Sequence, residues 1–144
     1  MFKISKLDKL MVKDMRKWGI PVLRVALGIV FLWFGALKIF GVTPVADLVG
    51  QTYSFFPVAD FLVFLGVWEV VIGIGLILKI FLRSVLAILW LQMLGTFIAS
   101  ILEPSMFFNG NIFLLTIEGE FLVKNLVLVA SGIVIGGHEV KKRK

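Results

Sequence analysis

The stretch that decides the fold is residues 58–79, VADFLVFLGVWEVVIGIGLILK, which is long and apolar and carries one carboxylate, Glu69, near its centre. A transmembrane helix needs about 20 mainly apolar residues to cross roughly 30 Å of hydrocarbon. Three further windows, at 20–41, 81–102 and 119–137, reach that length. We therefore predict an all-α membrane protein in which residues 20–137 form a bundle of four transmembrane helices.

The composition of the whole chain agrees with a membrane location. Of the 144 residues 60% are hydrophobic and the mean hydropathy is +1.04, whereas a soluble domain is about half apolar. There is no Cys and only one His, His138, in the basic tail at 138–144. These counts exclude disulfide, thiolate and iron–sulfur chemistry and a bis-His haem within one chain, so no self-contained catalytic, redox or metal centre is expected.

The basic residues predict the orientation of the chain. Twelve of the 15 Lys and Arg residues lie in the first 18 residues, around the link at 79–83 and in the tail at 138–144. The connections at 42–57 and 103–118 contain none. Because Lys and Arg in short loops mark the cytoplasmic side, we expect both termini inside and the chain in the plasma membrane. The net charge of +6 then reports topology and not a nucleic-acid partner.

Three segments outside the predicted spans carry structural signals. Residues 1–19 alternate Leu, Met and Ile with Lys and Arg at helical spacing, which predicts an amphipathic helix on an anionic membrane surface; a solvated basic arm is the alternative. In the first outer loop, Thr43 followed by Pro44 and a stop at Pro57 predicts a short interfacial helix. In the second, Asn109 and Gly110 predict a small hairpin or a cap over the bundle.

The ionisable residues inside the spans are the candidates for function, because each costs at least about 2.5 kcal/mol at the bilayer centre. Counting 1.5 Å per residue places Glu69 and Gln92 near the midplane and Arg24 below them. By depth, Arg24 and Lys124 are the basic residues nearest to Glu69. We expect Glu69 to be the hub of a buried charge network or a ligand contact. The other members expected toward the outside of the same lumen are Lys38, Glu118, Glu120, Lys124 and Asn125.

Each of these residues has a simpler interpretation that the sequence leaves open. Arg24 and Lys38 lie within snorkelling reach of the interfaces. Glu120 and Lys124 are four residues apart in the favourable order and could neutralise each other. Gln92 is of the type that joins helices by a hydrogen bond.

Three tryptophans and the glycine-rich faces of the helices suggest further contacts. Trp33, Trp68 and Trp90, one in each of the first three spans, could form the wall of an aromatic pocket or face lipid. The spans carry more glycine than one helix contact needs, which favours a homo-oligomer as a possible partner besides the bilayer.

With spans and charges placed, the chain resembles the DoxX/DoxD-like superfamily of small four-helix membrane proteins over roughly residues 20–137. The resemblance is carried by RVALGIVFLWFGALKIFG at 24–41, LGVWEVVIGIGLIL at 65–78 and GEFLVKNLVLVASGIVIG at 119–136. The third span matches only in hydrophobicity, so Gln92 has no support from it. The positions that match the family pattern are Arg24, Gly28, Gly35, Lys38, Glu69, Gly73, Glu120 and Lys124.

The resemblance implies several functions. Members of the superfamily are associated with thiosulfate:quinone oxidoreductase, with a complex that handles thiol and superoxide stress, and with maturation of redox enzymes; distant relatives are cargo receptors or chaperones. The expectation is therefore a membrane subunit of a quinone- or thiol-linked oxidoreductase that binds a quinone or lipid, or docks a catalytic partner. A non-enzymatic chaperone or adaptor is the main alternative, and a proton-coupled small exporter is a third.

Overall fold

A computed structural model describes residues 6–43, 46–52, 55 and 57–140. Four of its helices are long and apolar enough to cross a membrane, which confirms that part of the prediction. Pro44, Tyr53 and the four basic residues at 141–144, on which several expectations rest, lie outside the described residues. The helices are α1 (Lys6–Ile39), α2 (Ala46–Thr52), α3 (Val58–Leu78), α4 (Leu82–Leu102), α5 (Pro104–Phe107) and α6 (Ile117–Glu139).

The first long helix differs from the expected division at residue 19. α1 is one continuous helix of 34 residues, about 51 Å long at 1.5 Å per residue, and Pro21 lies inside it. Proline removes one backbone donor and usually kinks or breaks a helix. Here the residues on both sides are mostly strong helix formers such as Leu, Lys, Arg and Met, which favour continuity. The boundary was predicted from charge, and charge alone does not end a helix.

α1 and α3 form a closely packed antiparallel pair because both carry glycines seven residues apart. A Cβ atom on Gly35 would lie 2.6 Å from the carbonyl oxygen of Gly66, and one on Gly73 would lie 2.7 Å from that of Gly28. Side chains of any size at these positions would force the backbones apart. The short approach is therefore specified by small residues, as in many membrane helix pairs.

α4 and α6 form a second antiparallel pair. A Cβ on Gly132 would meet the indole nitrogen of Trp90 at 2.9 Å, and one on Gly136 would meet Leu86 at 3.3 Å. Small residues on α6 thus receive large side chains from α4. The short helix α5 packs against the start of α6, where a Cβ on Gly119 would lie 2.1 Å from the carbonyl oxygen of Phe107.

The two pairs, α1/α3 and α4/α6, meet in one apolar core at the end of the bundle that holds the α3–α4 link at 79–81. We call this the link end, and we call the opposite end, with the connections at 40–57 and 103–116, the loop end. The core is centred on side chains that are almost fully buried: Ile72, Leu76, Leu86, Leu89 and Ile135. Because the packing is concentrated at the link end, the pairs can diverge toward the loop end.

The connections at the loop end fold over the bundle. Val49 of α2 is buried, and Phe107 of α5 is almost completely so. An antiparallel bridge between Phe108 and Leu115 closes a loop around Gly110, whose positive φ of 73° suits glycine. Thr116 then caps α6, because its hydroxyl accepts a hydrogen bond from the Gly119 amide at 3.1 Å.

Candidate functional site

A cavity of about 500 Å³ lies between the two helix pairs, toward the loop end. All four long helices contribute to its wall, and Val49 and Phe107 of the loop-end segments complete it. Most of the lining is aromatic or aliphatic. The polar side chains on the wall are those of Lys38, Thr43, Glu69, Gln92, Thr96, Glu118 and Asn125.

An ion pair between Lys38 of α1 and Glu69 of α3 forms the charged part of the wall. The Lys38 Nζ and Glu69 Oε2 atoms are 2.7 Å apart, and the two side chains are only 12% and 8% exposed. Side chains on a helix tilt toward its N-terminus. Because α1 and α3 are antiparallel, Lys38 reaches toward the link end and Glu69 toward the loop end, so the two side chains meet between their backbone positions.

Gln92 of α4 extends this pair across the bundle. Its Nε2 donates a hydrogen bond to Glu69 Oε1, the second carboxylate oxygen. Glu69 therefore accepts one bond from each helix pair and links them. The amide oxygen of Gln92 is buried and has no hydrogen-bond partner among the residues that the structure describes. A buried acceptor without a donor is costly, so this bridge between the pairs is incompletely satisfied.

An aromatic row on α3 continues the wall from the carboxylate toward the loop end. Phe61, Phe64 and Trp68 follow one another at helical spacing, with ring centroids 6.4 Å and 5.6 Å apart for the successive pairs. The indole nitrogen of Trp68 donates to the carbonyl oxygen of Ile88 at 3.3 Å. That bond leaves the Trp68 ring fixed against α4, with its apolar surface on the cavity.

The predicted site residues Glu118 and Asn125 also lie on the cavity wall, on α6. Both are partly buried, and they are seven residues apart with Phe121 and Leu122 between them on the wall. Thr96 of α4 lies on the wall as well, with its hydroxyl donating to the carbonyl oxygen of Gln92 at 3.2 Å.

Arg24 belongs to a different cluster, at the link end. Its guanidinium donates to the carbonyl oxygens of Leu76 and Ile77 in the last turn of α3, the latter at 2.9 Å. Its Nε lies 2.6 Å from Glu139 Oε2 at the end of α6, and Lys79 Nζ lies 3.1 Å from the other oxygen. The last carbonyls of a helix have no partner within it and carry partial negative charge, so a guanidinium there is favourable.

The structure corrects the expectation that Arg24 and Lys124 are the basic residues nearest to Glu69. The partner is Lys38, because the depth of a backbone position ignores the length and tilt of a lysine side chain. Arg24 lies 14 residues before Lys38, about 21 Å along α1.

Glu120 and Lys124 do not join the cavity. Both side chains are exposed, because the face of α6 that lines the cavity is the one with Glu118, Phe121 and Asn125. The ammonium of Lys124 lies 5.1 Å from the ring centroid of Phe121. Glu120 falls in the first turn of α6, where negative charge suits the helix dipole.

Of the three tryptophans predicted to surround a pocket, only Trp68 lines the cavity. Trp33 is 67% exposed, on a face of α1 away from the Gly28 and Gly35 stripe. Trp90 packs over Gly132 in the seam between α4 and α6 and is exposed on its other side. Helical spacing gave each tryptophan a face but could not show which face meets the cavity.

Sequence reasoning missed Glu139, which falls at the border of the last span and the basic tail. The signal was available, because a lone carboxylate among His138 and four basic residues has to find a cationic partner. It also missed Phe61 and Phe64, which repeat at i, i+3 with Trp68 but look like ordinary core or lipid-facing residues.

Comparison of the chain with protein-family models, with curated proteins and with solved structures gives no match in any of the three.

Proposed function

We propose that this protein is a membrane subunit that binds a small amphiphile, of the quinone type, in the cavity between its two helix pairs. The observation that carries the proposal is the wall of that cavity, where Lys38, Glu69 and Gln92 form one polar patch on an otherwise apolar lining. Its volume of about 500 Å³ falls within the range of small-molecule sites. Such sites combine a largely apolar wall with a few polar groups that orient the ligand.

The residues present suit a quinone ring. Lys38 has three N–H donors, of which Glu69 takes one, so a carbonyl oxygen of a ligand can accept another. Trp68 and Phe64 offer flat surfaces for a ring, and the aliphatic lining suits a tail. A bound quinone supplies carrier chemistry for electrons and protons. This chain contains no cysteine and one histidine, so the redox reaction itself would take place on a partner protein.

A place in the DoxX/DoxD-like superfamily is part of the proposal. It is supported by the ion pair between Lys38 and Glu69 and by the close contact of Gly28 and Gly35 with α3. All of these residues match the family pattern. The oxidoreductase association of that superfamily is the reason for preferring a quinone to other amphiphiles.

The proposed setting is the plasma membrane with both termini cytoplasmic. The support is the concentration of Lys and Arg at the termini and at the link end. In this orientation the exposed amphipathic segment at 6–19 of α1 contacts the anionic inner surface. α2 then lies at the outer interface and covers the cavity there.

The test is a titration of purified protein in nanodiscs with a benzoquinone that carries a decyl tail, followed by quenching of tryptophan fluorescence. The wild type should show saturable quenching. Thr96→Phe, which places a ring in the cavity, should lose it, whereas Ser84→Phe, on an exposed position of the same helix, should keep it. Equal quenching in all three proteins, or none in the wild type, would contradict the proposal.

A membrane adaptor is the second candidate. It is favoured by the pairing of the buried charges, Lys38 with Glu69 and Arg24 with Glu139, since paired charges can serve stability alone. An exporter that cycles protons on Glu69 has less support, because that carboxylate already has a cationic partner and an amide donor. A wild type that binds no quinone but retains a stable partner protein through purification would favour the adaptor.

A further inference from the structure

The cavity is bounded unevenly on its sides. Between α3 and α4, two residues of its wall are also strongly exposed on the outer surface: Phe64 is 55% exposed and Leu91 is 57% exposed. A side chain that both lines a cavity and lies on the molecular surface marks a place where the cavity opens. One such residue on each of two neighbouring helices defines the two edges of an opening.

Gly95 lies between these edges and keeps the opening wide. It is one turn beyond Leu91 on α4 and belongs to the cavity wall. A Cβ atom built on it would meet no atom within 4 Å. The glycines that hold the helix pairs together are different, because a Cβ on Gly35 or Gly73 would collide with the facing backbone. Gly95 therefore borders space and not a packed neighbour.

The link-end part of the same helix seam is closed. Gly75 of α3 receives Val85 of α4 so tightly that a Cβ there would lie 2.4 Å from the valine methyl. One step further, Trp68 bonds to the Ile88 carbonyl. Beyond that level the α3 residues facing α4 are Phe61 and Phe64. The gap thus begins just past Trp68 and widens toward the loop end.

The opposite side of the bundle lacks such a pair of edges. Phe34 of α1 lines the cavity and is exposed, but the cavity residues of α6 are all buried or partly buried: Glu118, Phe121, Leu122, Asn125 and Leu128. An opening needs exposed wall on both flanking helices, so the α3–α4 side is the one that qualifies.

The opening faces hydrocarbon and not water if the helices span a membrane. Leu91 and Gly95 lie 9 and 13 residues from the start of α4, about 14 and 20 Å along a helix of roughly 31 Å. Both flanking helices carry apolar side chains at this level, including Val63, Val67 and Leu94, all exposed. A ligand that passes here therefore comes from the bilayer interior.

We infer that the cavity is filled laterally, through a portal between α3 and α4 bordered by Phe64, Leu91 and Gly95. The ligand is a membrane-dissolved amphiphile whose tail lies in this portal while its polar group reaches Lys38, Glu69 and Gln92. The inference rests on the proposed function for the identity of the ligand. The portal itself also admits the acyl chains of ordinary phospholipids, which allows it to be tested without a quinone.

The experiment uses a variant that retains Trp68 as its only tryptophan, with Trp18, Trp33 and Trp90 changed to Phe. The protein is reconstituted in phosphatidylcholine vesicles with bromine at mid-chain, and quenching of Trp68 is compared with that in unbrominated vesicles. Adding Gly95→Leu should remove most of the quenching because the side chain fills the portal. Gly137→Leu is the matched control, since a Cβ there also meets no atom within 4 Å.

A second variant changes the portal in the opposite direction. Leu91→Ala widens it and should increase the quenching of Trp68. If neither Gly95→Leu nor Leu91→Ala differs from the control, the lateral portal is wrong, even where a quinone binds. If both differ as expected but no quinone binds, the portal stands and the proposed quinone function fails.

Discussion

At the scale of single residues, the pair formed by Lys38 and Glu69 is the centre of the site. Two charges with side chains only 12% and 8% exposed cost free energy to remove from water, and their attraction and hydrogen bonds offset that cost. The consequence is asymmetric. Removing one partner leaves a buried charge, whereas removing both removes the desolvation cost together with the attraction.

This asymmetry gives a first prediction. Glu69→Met and Lys38→Met should each destabilise the protein by about 3–5 kcal/mol, since each leaves an uncompensated buried charge. The double variant should lose less than either single one. Reversible unfolding of the four proteins in detergent forms a double-mutant cycle that measures this. Losses that simply add would show that the two side chains do not depend on each other.

The sequence predicted the importance of Glu69 but not its partner. A lone carboxylate in the middle of an apolar span is an unambiguous signal, because insertion of a charge is costly. The choice among Arg24, Lys38 and Lys124 depends on side-chain reach and on which face of α6 meets the cavity. Both are decided by packing between helices, which a single chain of letters does not contain.

At the scale of the helices, glycine positions determine how closely α1 and α3 approach. The sequence showed that Gly28 and Gly35 share a stripe, and likewise Gly66 and Gly73, but not that the two stripes face each other. Side chains at these four positions would meet backbone atoms of the facing helix, which cannot move aside as a flexible side chain can.

The second prediction compares two glycines of the same helix. Gly35→Ala should destabilise the protein by about 1–3 kcal/mol, because its methyl group would overpack against Gly66. Gly19→Ala meets no atom within 4 Å and should be neutral or stabilising by about 0.5–1 kcal/mol through helix propensity. Thermal unfolding of the two variants decides the signs. A stabilising Gly35→Ala would refute the close packing of α1 on α3.

The cluster at the link end gives the third prediction. Arg24 bonds to two carbonyls of α3 and pairs with Glu139, so Arg24→Met should loosen the ends of both α3 and α6. Lys79 is 49% exposed and pairs with Glu139 only at the surface, and Lys79→Met should change stability by no more than about 1 kcal/mol. Hydrogen exchange measured by mass spectrometry should show faster exchange near residues 76–78 and 136–139 for Arg24→Met alone. Equal exchange in both variants would contradict the role of Arg24.

At the scale of the whole molecule, the four-helix architecture could be predicted with good helix boundaries. The expected spans 58–79 and 81–102 differ from α3 and α4 by one residue at one end each. Hydrophobic length specifies a span almost by itself, since the backbone must satisfy its hydrogen bonds within the helix. The cavity could not be predicted, because it arises from two helix pairs that meet at one end and diverge at the other.

The proposed orientation gives the fourth prediction, and the absence of cysteine from the chain makes it easy to test. Lys9→Cys and Asn109→Cys lie at opposite ends of the bundle on exposed residues. A membrane-impermeant maleimide applied to intact cells should label Asn109→Cys only, and both after permeabilisation. Labelling of Lys9→Cys in intact cells would reverse the orientation.

The central claim is that an amphiphile binds between the two helix pairs, and photo-crosslinking tests it most directly. A benzoquinone with a decyl tail bearing a diazirine is added to the wild type in nanodiscs, and labelled residues are identified by mass spectrometry. The account predicts labels within residues 61–69 and 91–99 that excess unlabelled quinone removes. Labels confined to outward residues such as Ile29 and Trp33, and unaffected by competitor, would contradict it.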